Sequence, residues 1–372
     1  MAFGTFFLPG PTEVREEILE AMCQPMLPHR GAAFEALFAK VQAGLRPIFR
    51  TERPVYVSSS SATGLMEAAI RCARPGPILC LVNGAFSERF SAIAAACGRE
   101  HVVVGGAWHQ PVPLDLVEQA LRAGHAGQRF SALTVVHSET STGALTDLEP
   151  LAVLAHQFDC AVLVDSVTGL GGVPVETDAW ALDFVLTGSQ KALALPPGLA
   201  FGVASERFIR EASQAESRGL YFDLVEFEQY IHKNQTPNTP ALSLLYATAL
   251  QGERIAEETI EGRWARHAAM ADATHQWVEA LRERTGQPFC IYAPEGARST
   301  TVTAIALPPT LSGEAIVKAV AARGYVIGGG YGRLKASTIR IGHMGDHTVE
   351  GLQQVLIATS DAIDTILEGS VK

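Results

Sequence analysis

Asp165 and Lys191 are the two residues of this sequence whose types and settings most directly indicate chemistry. Asp165 ends the apolar run 161–164, and Lys191 follows the apolar run 183–188. A carboxylate in such surroundings must find a cation, a metal ion or hydrogen bonds, while a desolvated lysine favours its neutral amine, a nucleophile toward aldehydes. Two ordinary alternatives stay open. Asp165 could cap the next turn, and the Lys191 stem could pack on apolar surface while its ammonium reaches water.

A hydroxyl-rich turn has the composition of an anion site. Residues 58–64, SSSSATG, follow an apolar run and open a helical pattern. Free backbone N–H groups at a helix N-terminus, with the helix dipole behind them, bind phosphate, although Ser or Thr can also cap a helix without a ligand. The sequence has neither G-x-x-x-x-G-K-[ST] nor G-x-G-x-x-G, which argues against nucleotide phosphates and against an NAD-dependent dehydrogenase.

One cofactor would use all three features. Pyridoxal phosphate (PLP) carries an aldehyde for Lys191, a ring nitrogen for Asp165 and a phosphate for the turn at 58–64. The polar segments 137–143 and 164–172 also follow apolar runs, so the sequence predicts that they meet at the carboxyl edge of a parallel sheet, where open α/β sheets bind ligands. No His, Asp and Glu cluster with ligand spacing lies near Asp165, so no metal site is predicted.

Seven buried strands must position these groups. The apolar runs cover residues 54–59, 78–83, 101–106, 132–137, 161–165, 183–188 and 199–204. Amphipathic segments such as 62–73 and 86–97 separate most of them, and this alternation predicts an α/β fold whose mostly parallel sheet is covered on both faces.

The sequence beyond the sheet predicts a second, smaller unit. Residues from 241 to about 284 read as two helices, and alternating strand and helix patterns up to 367 indicate an α+β domain. We therefore expect three parts: an N-terminal segment (1–14) that reaches the active site, a large cofactor-binding domain (15–255) and a small C-terminal domain (256–372).

Composition excludes several classes of protein. The 372 residues are 47% hydrophobic and 18% charged, with a net charge of -10 and no concentrated Lys/Arg cluster, so nucleic acid and anionic membranes are not expected partners. The six cysteines form no C-x-x-C pair, which argues against a disulfide framework or a zinc site. The N-terminus lacks a basic signal-peptide region and no run is long enough to span a bilayer, so a soluble, cytoplasmic protein is expected.

Several segments together resemble the class V aminotransferase family, above all its alanine-glyoxylate and serine-glyoxylate (serine-pyruvate) members. These are VDSVTGLGG (164–172), TGSQKALALPPG (187–198), HSETSTG (137–143) and TIRIGHMG (338–345). The resemblance runs from FLPGPTEV (7–14) to the last helix. It implies the PLP-dependent transferase fold type I, with Lys191 holding PLP as a Schiff base and then moving the proton, and Asp165 keeping the pyridine nitrogen protonated.

The resemblance also assigns a cofactor pocket. The phosphate would lie on Ser61, Ala62 and Thr63, with a further contact from Gln190. Phe86 would stack on the cofactor ring, Val167 would support the opposite face, and Thr140 would present a hydroxyl to it. Ordinary core packing is the alternative for Phe86.

A substrate residue and a subunit contact are implied as well. Arg340 would clamp the α-carboxylate of the amino acid bidentately, its alternative being an arginine in a surface strand. The family builds its phosphate site across a homodimer interface, and Thr239 is the residue we expect there, with Thr236 and Asn238 as the alternatives. The tyrosine that family members often contribute is missing, and Thr63 replaces a histidine found in some relatives. His29 and Arg30 resemble a segment that enters the site, and Arg30 is a candidate second cation for an acidic donor.

The resemblance implies a PLP aminotransferase that passes the amino group of a small amino acid such as alanine or serine to glyoxylate or pyruvate by a ping-pong mechanism. Three alternatives remain: a 2-aminoethylphosphonate-type transaminase, a PLP-dependent lyase or desulfurase, and a non-catalytic binding protein. A desulfurase needs a mobile catalytic cysteine, and no cysteine here lies in an evident polar loop near the site. Retention of Lys191, Asp165 and Arg340 argues against the non-catalytic protein.

Overall fold

The computed structural model describes residues 3–215 and 217–369. The strands are β1 Phe6–Phe7, β2 Tyr56–Ser58, β3 Ile78–Val82, β4 His101–Gly105, β5 Ala132–Val136, β6 Ser138–Glu139, β7 Ala144–Leu145, β8 Ala161–Asp165, β9 Phe184–Gly188, β10 Ala200–Ala204, β11 Cys290–Ile291, β12 Val302–Ala306, β13 Val326–Gly329 and β14 Thr338–Gly342. The helices are α1 Glu16–Ala21, α2 Ala32–Phe49, α3 Ala62–Cys72, α4 Ala85–Ala96, α5 Leu114–Ala123, α6 Leu148–Gln157, α7 Glu206–Ala212, α8 Leu224–Ile231, α9 Leu242–Glu258, α10 Ile260–Thr285, α11 Gly313–Ala321 and α12 Val349–Gly369.

The larger sheet contains all seven predicted strands, in the order β2-β10-β9-β8-β5-β3-β4. Strands β9, β8, β5, β3 and β4 run parallel, and β10 is antiparallel to both β2 and β9. The prediction of a mostly parallel sheet is therefore confirmed. One detail was wrong: the run at 101–106 was expected to be buried, but β4 lies at the edge of the sheet and Val103 is 51% exposed.

A smaller, five-stranded sheet has the order β1-β13-β14-β12-β11. It has its own hydrophobic core, in which Phe7 joins residues such as Ile305 and Ile341. Strand β1 pairs parallel with β13, so the N-terminal segment completes a sheet formed by the C-terminal part of the chain, a role that its sequence did not indicate. The domain limits at 14 and 255 stay predictions.

The helical region after residue 241 divides into α9 and α10, as predicted, at Thr259, whose backbone has a φ of 62°. None of the described helices is long and apolar enough to cross a membrane.

Helices α2 and α9 touch through their backbones at two glycines. A Cβ added to Gly44 would lie 2.8 Å from the Cα of Gly252, and one added to Gly252 would lie 2.9 Å from the Cα of Gly44. Glycine inside a helix costs stability relative to alanine, so this close approach explains why both helices carry one there.

We expect Gly252→Ala to lower the free energy of unfolding by ~1–3 kcal/mol, because the new methyl group must force the two helices apart. The matched control is Gly351→Ala in the first turn of α12, where the nearest atom to a new Cβ is 3.5 Å away. That change should leave stability unchanged or raise it by up to about 1 kcal/mol. Urea denaturation of both variants measures the difference, and equal effects would contradict close packing at Gly252.

Candidate active site

A cavity of about 360 Å³ lies at the carboxyl edge of the larger sheet. Its volume is in the range of small-molecule sites. The predicted site residues that line it are Ser61, Ala62, Thr63, Phe86, Thr140, Asp165, Val167, Gln190 and Lys191. The structure thus brings together groups from β8, from the segment after β9 and from the first turns of α3 and α4.

Lys191 is buried, with 8% of its surface exposed. Its Nζ donates a hydrogen bond to the carbonyl oxygen of Pro9, and a Cβ on Gly10 would lie 2.3 Å from that Nζ. Burial, assisted by the charge of Arg340 and opposed by that of Asp165, lowers the pKa of Lys191 to about 8. The alternative of a surface lysine with a solvated ammonium is therefore wrong, because the N-terminal segment covers the amine.

Asp165 ends β8 with 4% of its surface exposed. Its Oδ1 accepts a hydrogen bond from the Val167 N–H at 2.8 Å, and no other described residue donates to this carboxylate. Burial raises the pKa of Asp165 to about 6, against the lowering effect of that N–H. The hydrogen bond that caps the next turn therefore uses only one oxygen of the Asp165 carboxylate. The other oxygen is free to accept a hydrogen bond from a ligand.

The N-cap and first turn of α3, with Ser61, Ala62 and Thr63, line the cavity. Ser61 is the N-cap residue, yet no side chain caps this helix. The nearby hydroxyls are used otherwise: Ser58 and Ser60 hydrogen bond to each other at 2.9 Å, and Ser59 accepts from the Ala241 N–H at 2.8 Å. The alternative of a simple Ser/Thr cap is therefore not what the structure shows, and the helix start suits an anion.

Phe86 forms one wall of the cavity from the first turn of α4. The ring of Tyr331 stacks on it, with 5.2 Å between ring centroids and 16° between planes. The Tyr331 hydroxyl accepts a hydrogen bond from Arg89 Nη2 at 3.2 Å. The sequence assigned no role to Tyr331 and gave no prediction for Arg89, although Arg89 stands one helical turn after Phe86 and could have been found from that spacing.

A buried carboxylate, Glu139, holds Phe86 in place, and sequence reasoning missed it. Its oxygens accept from the N–H groups of Phe86 at 3.2 Å and Ser87 at 3.0 Å, and from the Ser141 hydroxyl at 2.6 Å. A negative charge at a helix N-terminus is favourable. The available signal was a carboxylate inside the polar segment 137–143.

Thr140 and Arg340 connect the cavity to the smaller sheet. The Thr140 hydroxyl lies 2.5 Å from the hydroxyl of Thr168, which also lines the cavity. The carbonyl oxygen of Thr140 accepts a hydrogen bond from Arg340 Nη1 at 3.2 Å. Arg340 Nε donates to the Gly329 carbonyl oxygen at 2.8 Å. Burial lowers the pKa of Arg340 to about 10, which still leaves it a cation near neutral pH.

Thr239 and Arg30 do not line this cavity within the one chain. Thr239 is exposed, beside the buried Thr236. Arg30 donates to the carbonyl oxygens of Thr236 at 2.6 Å and Pro237 at 2.9 Å. The structure therefore does not bring Arg30 to the site as a second cation, and the role of Thr239 toward a neighbouring subunit stays a prediction.

The cavity groups have complementary chemistry. An amine nucleophile, a carboxylate acceptor, a helix start for an anion and an aromatic wall would together hold a flat ring that bears a carbonyl, a basic nitrogen and an anionic group.

Comparison with known proteins gives consistent matches. The family described as Aminotransferase class-V matches residues 93–344. The serine–glyoxylate aminotransferase of Methylorubrum extorquens is 31% identical over 91% of this chain and 86% of its own length. The L-aspartate–glyoxylate aminotransferase of Paracoccus denitrificans is 30% identical over 96% and 90%. The crystal structure of an alanine–glyoxylate aminotransferase from Nostoc sp. has a TM-score of 0.89 and 28% identity, covering 96% of this chain and 95% of that one.

We expect Glu139→Gln to destabilise the protein by ~2–3 kcal/mol and to loosen Phe86, because the new amide NH₂ would face N–H and O–H donors. The control is Glu88→Gln in α4, the helix that also carries Phe86. The exposed ion pair between Glu88 and Arg333 contributes about 1 kcal/mol or less. Urea denaturation of both variants tests this. Equal stabilities would show that Glu139 does not anchor the start of α4.

Proposed function

Because this chain belongs to the class V aminotransferase family, it is a transaminase, and we propose that it transfers the amino group of a small amino acid to glyoxylate with PLP as its cofactor. The observation that supports this most strongly is that Lys191, Asp165 and the uncapped start of α3 line a single cavity. The names of the Methylorubrum, Paracoccus and Nostoc relatives share glyoxylate as acceptor.

The residues present fit PLP. The free oxygen of Asp165 would accept from the protonated ring nitrogen, and Ser61, Ala62, Thr63 and Gln190 would hold the phosphate. Phe86 and Val167 would enclose the ring, with the Thr140 hydroxyl beside it. When bound, PLP supplies a carbonyl for the donor nitrogen and an electron-withdrawing ring that acidifies the donor Cα–H.

Lys191 has two tasks in this proposal. With PLP bound, its neutral amine would hold the cofactor, and during the reaction the same amine would accept the proton from the donor Cα and later give it back. A pKa near 8 suits both, because an amine with an ordinary pKa would be almost entirely protonated at neutral pH.

Arg340 orients the donor. Its guanidinium remains charged and could bind an α-carboxylate bidentately by exchanging its bond to the Thr140 carbonyl oxygen. This would fix which Cα bond faces Lys191. The donor itself stays among small amino acids, since the relatives are named for serine, aspartate and alanine.

The lyase and desulfurase alternatives are not favoured, because the relatives are named aminotransferases and because no cysteine, which a desulfurase needs, is among the residues that line the cavity. Pyruvate remains a second acceptor to test. We also propose a homodimer in which Thr239 of one subunit faces the cofactor phosphate of the other, which its exposed position allows.

The first experiment is a half-reaction. The visible spectrum of the purified protein is recorded with PLP, then with single amino acids and no acceptor. We expect a visible band that requires Lys191 and disappears with one donor or a few, returning when glyoxylate is added. A Lys191→Ala variant with the same band as wild type, or a protein that never develops one, would refute the proposal.

We expect the rate of PLP attachment to the cofactor-free chain to rise with pH, with a midpoint near 8. Burial disfavours the ammonium form, so the reactive neutral amine accumulates as pH rises through that value. Stopped-flow absorbance from pH 6 to 11 measures the rate, with N-acetyl-lysine as the reference amine. A midpoint close to that of the reference would show that Lys191 is solvated.

A further inference from the structure

We propose that Thr12, Gln251 and the Arg263–Asp346 ion pair are positioning residues that fix the main chain of residues 190–193 and thereby aim the Lys191 amine at the donor Cα, an inference that rests on the proposed function. None of these four side chains lines the cavity. Their effect on Lys191 is transmitted through the main chain of residues 190–193.

Side chains or N–H groups from other elements bind four successive carbonyl oxygens. Thr12 N–H donates to Gln190 at 3.0 Å and Thr12 Oγ1 to Lys191 at 3.1 Å. Arg263 Nη2 donates to Ala192 at 2.7 Å, and Gln251 Nε2 to Leu193 at 2.9 Å. Each of the four carbonyl oxygens is thus held by a donor from elsewhere in the chain.

The segment needs such support because its backbone is irregular. Ala194, three residues after Lys191, has a φ of 52°, a conformation that residues with a Cβ rarely adopt. Its N–H bonds back to the Lys191 carbonyl oxygen at 2.8 Å. Backbone strain of this kind persists only where the surroundings enforce it, and it clusters at functional sites.

Asp346 accepts hydrogen bonds from two of these donors, Arg263 and Gln251. Its Oδ1 accepts from Arg263 Nη2 at 2.8 Å and from Gln251 Nε2 at 3.1 Å, and its Oδ2 lies 3.2 Å from Arg15 Nε. Burial acts to raise the pKa of Asp346, but Arg263 and Arg15 hold it below its usual value, so the carboxylate stays charged. The Arg263–Asp346 pair therefore remains intact across neutral pH.

Two details indicate that this network serves the lysine segment and is not there for stability alone. Arg263 is only 2% exposed, and a buried ion pair contributes little net stability over apolar residues of similar size. Gln251 Oε1 is buried and has no partner among the described residues, so the polar function of this side chain consists of the bonds from its Nε2 to Leu193 and Asp346. Both acceptors of Nε2 belong to the network.

The test compares Thr12→Val and Gln251→Met with Thr248→Val. Thr12→Val is nearly isosteric. It removes the hydroxyl's bond to the Lys191 carbonyl oxygen and its longer contact with the Gln190 carbonyl oxygen at 3.5 Å, and it keeps the bond from the Thr12 N–H to Gln190. Thr248 is the matched control: it is buried in α9, and within the described part of the chain its hydroxyl bonds only to the Leu244 carbonyl oxygen of its own helix. Two measurements are made on the full-length chain. The first is the rate at which PLP reacts with Lys191 in the cofactor-free protein, trapped with cyanoborohydride and located by mass spectrometry. The second is kcat, donor KM and the isotope effect with an α-deuterated donor, per bound cofactor.

We expect Gln251→Met to lower kcat by about tenfold and Thr12→Val by about threefold, with the donor KM changed by less than about twofold. The isotope effect should rise in both, because proton transfer becomes slower than the other steps, and trapping at Lys191 should slow in the same order. Thr248→Val should match wild type in all four quantities. A role in stability alone would lower the denaturation midpoint without moving the isotope effect or the trapping rate.

The outcomes separate the two proposals. Wild type that neither traps PLP at Lys191 nor transaminates would refute the proposed function. Wild type that does both, with a Thr12→Val variant equal to it in trapping rate and isotope effect, would overturn the positioning role. If Gln251→Met does not fold, the Thr12→Val result decides, because that substitution leaves the buried ion pair intact.

Discussion

The desolvation of one amine is the constraint on which the site depends. Lys191 can act as a nucleophile and base near neutral pH only if water is kept from its Nζ. The N-terminal segment covers the amine. Pro9 provides the only hydrogen-bond acceptor for Nζ among the described residues, and Gly10, which has no side chain, leaves space for the lysine. A Cβ at residue 10 would lie 2.3 Å from Nζ, so any residue other than glycine there would have to displace the lysine side chain.

The larger sheet places the remaining charges around that amine. Asp165 and Lys191 follow neighbouring parallel strands, β8 and β9, so the carboxylate and the amine reach the same edge. Their effects oppose: Asp165 favours the ammonium form of Lys191, while burial and Arg340 favour the neutral form. Burial is the largest of these effects, and their balance leaves the pKa of Lys191 at about 8.

The smaller sheet closes the site from the other side. Arg340 on β14 hydrogen bonds to Thr140, which follows β6, and Tyr331 after β13 contacts Phe86 and Arg89 on α4, a helix that packs on the larger sheet. The N-terminal strand β1 joins the smaller sheet before the chain crosses to Lys191. The site is therefore formed where two separately packed cores meet, and its geometry depends on both.

The sequence alone determined the seven strands, the helices α3, α4, α9 and α10, and the approach of Asp165, Lys191 and the 58–64 turn. Local hydrophobic pattern and the geometry of parallel strands are enough for these, because each group lies directly after a strand. Only the tertiary structure decided the rest. The exposed face of β4 depends on the position of that strand at the edge of the sheet. Four other features join residues that are far apart in the chain: the pairing of β1 with β13, the stacking of Tyr331 on Phe86, the hydrogen bonds from Arg30 to main-chain carbonyl oxygens and the bond from Arg263 to Ala192. Periodicity reports which face of an element is apolar, but it carries no information about which distant element covers that face.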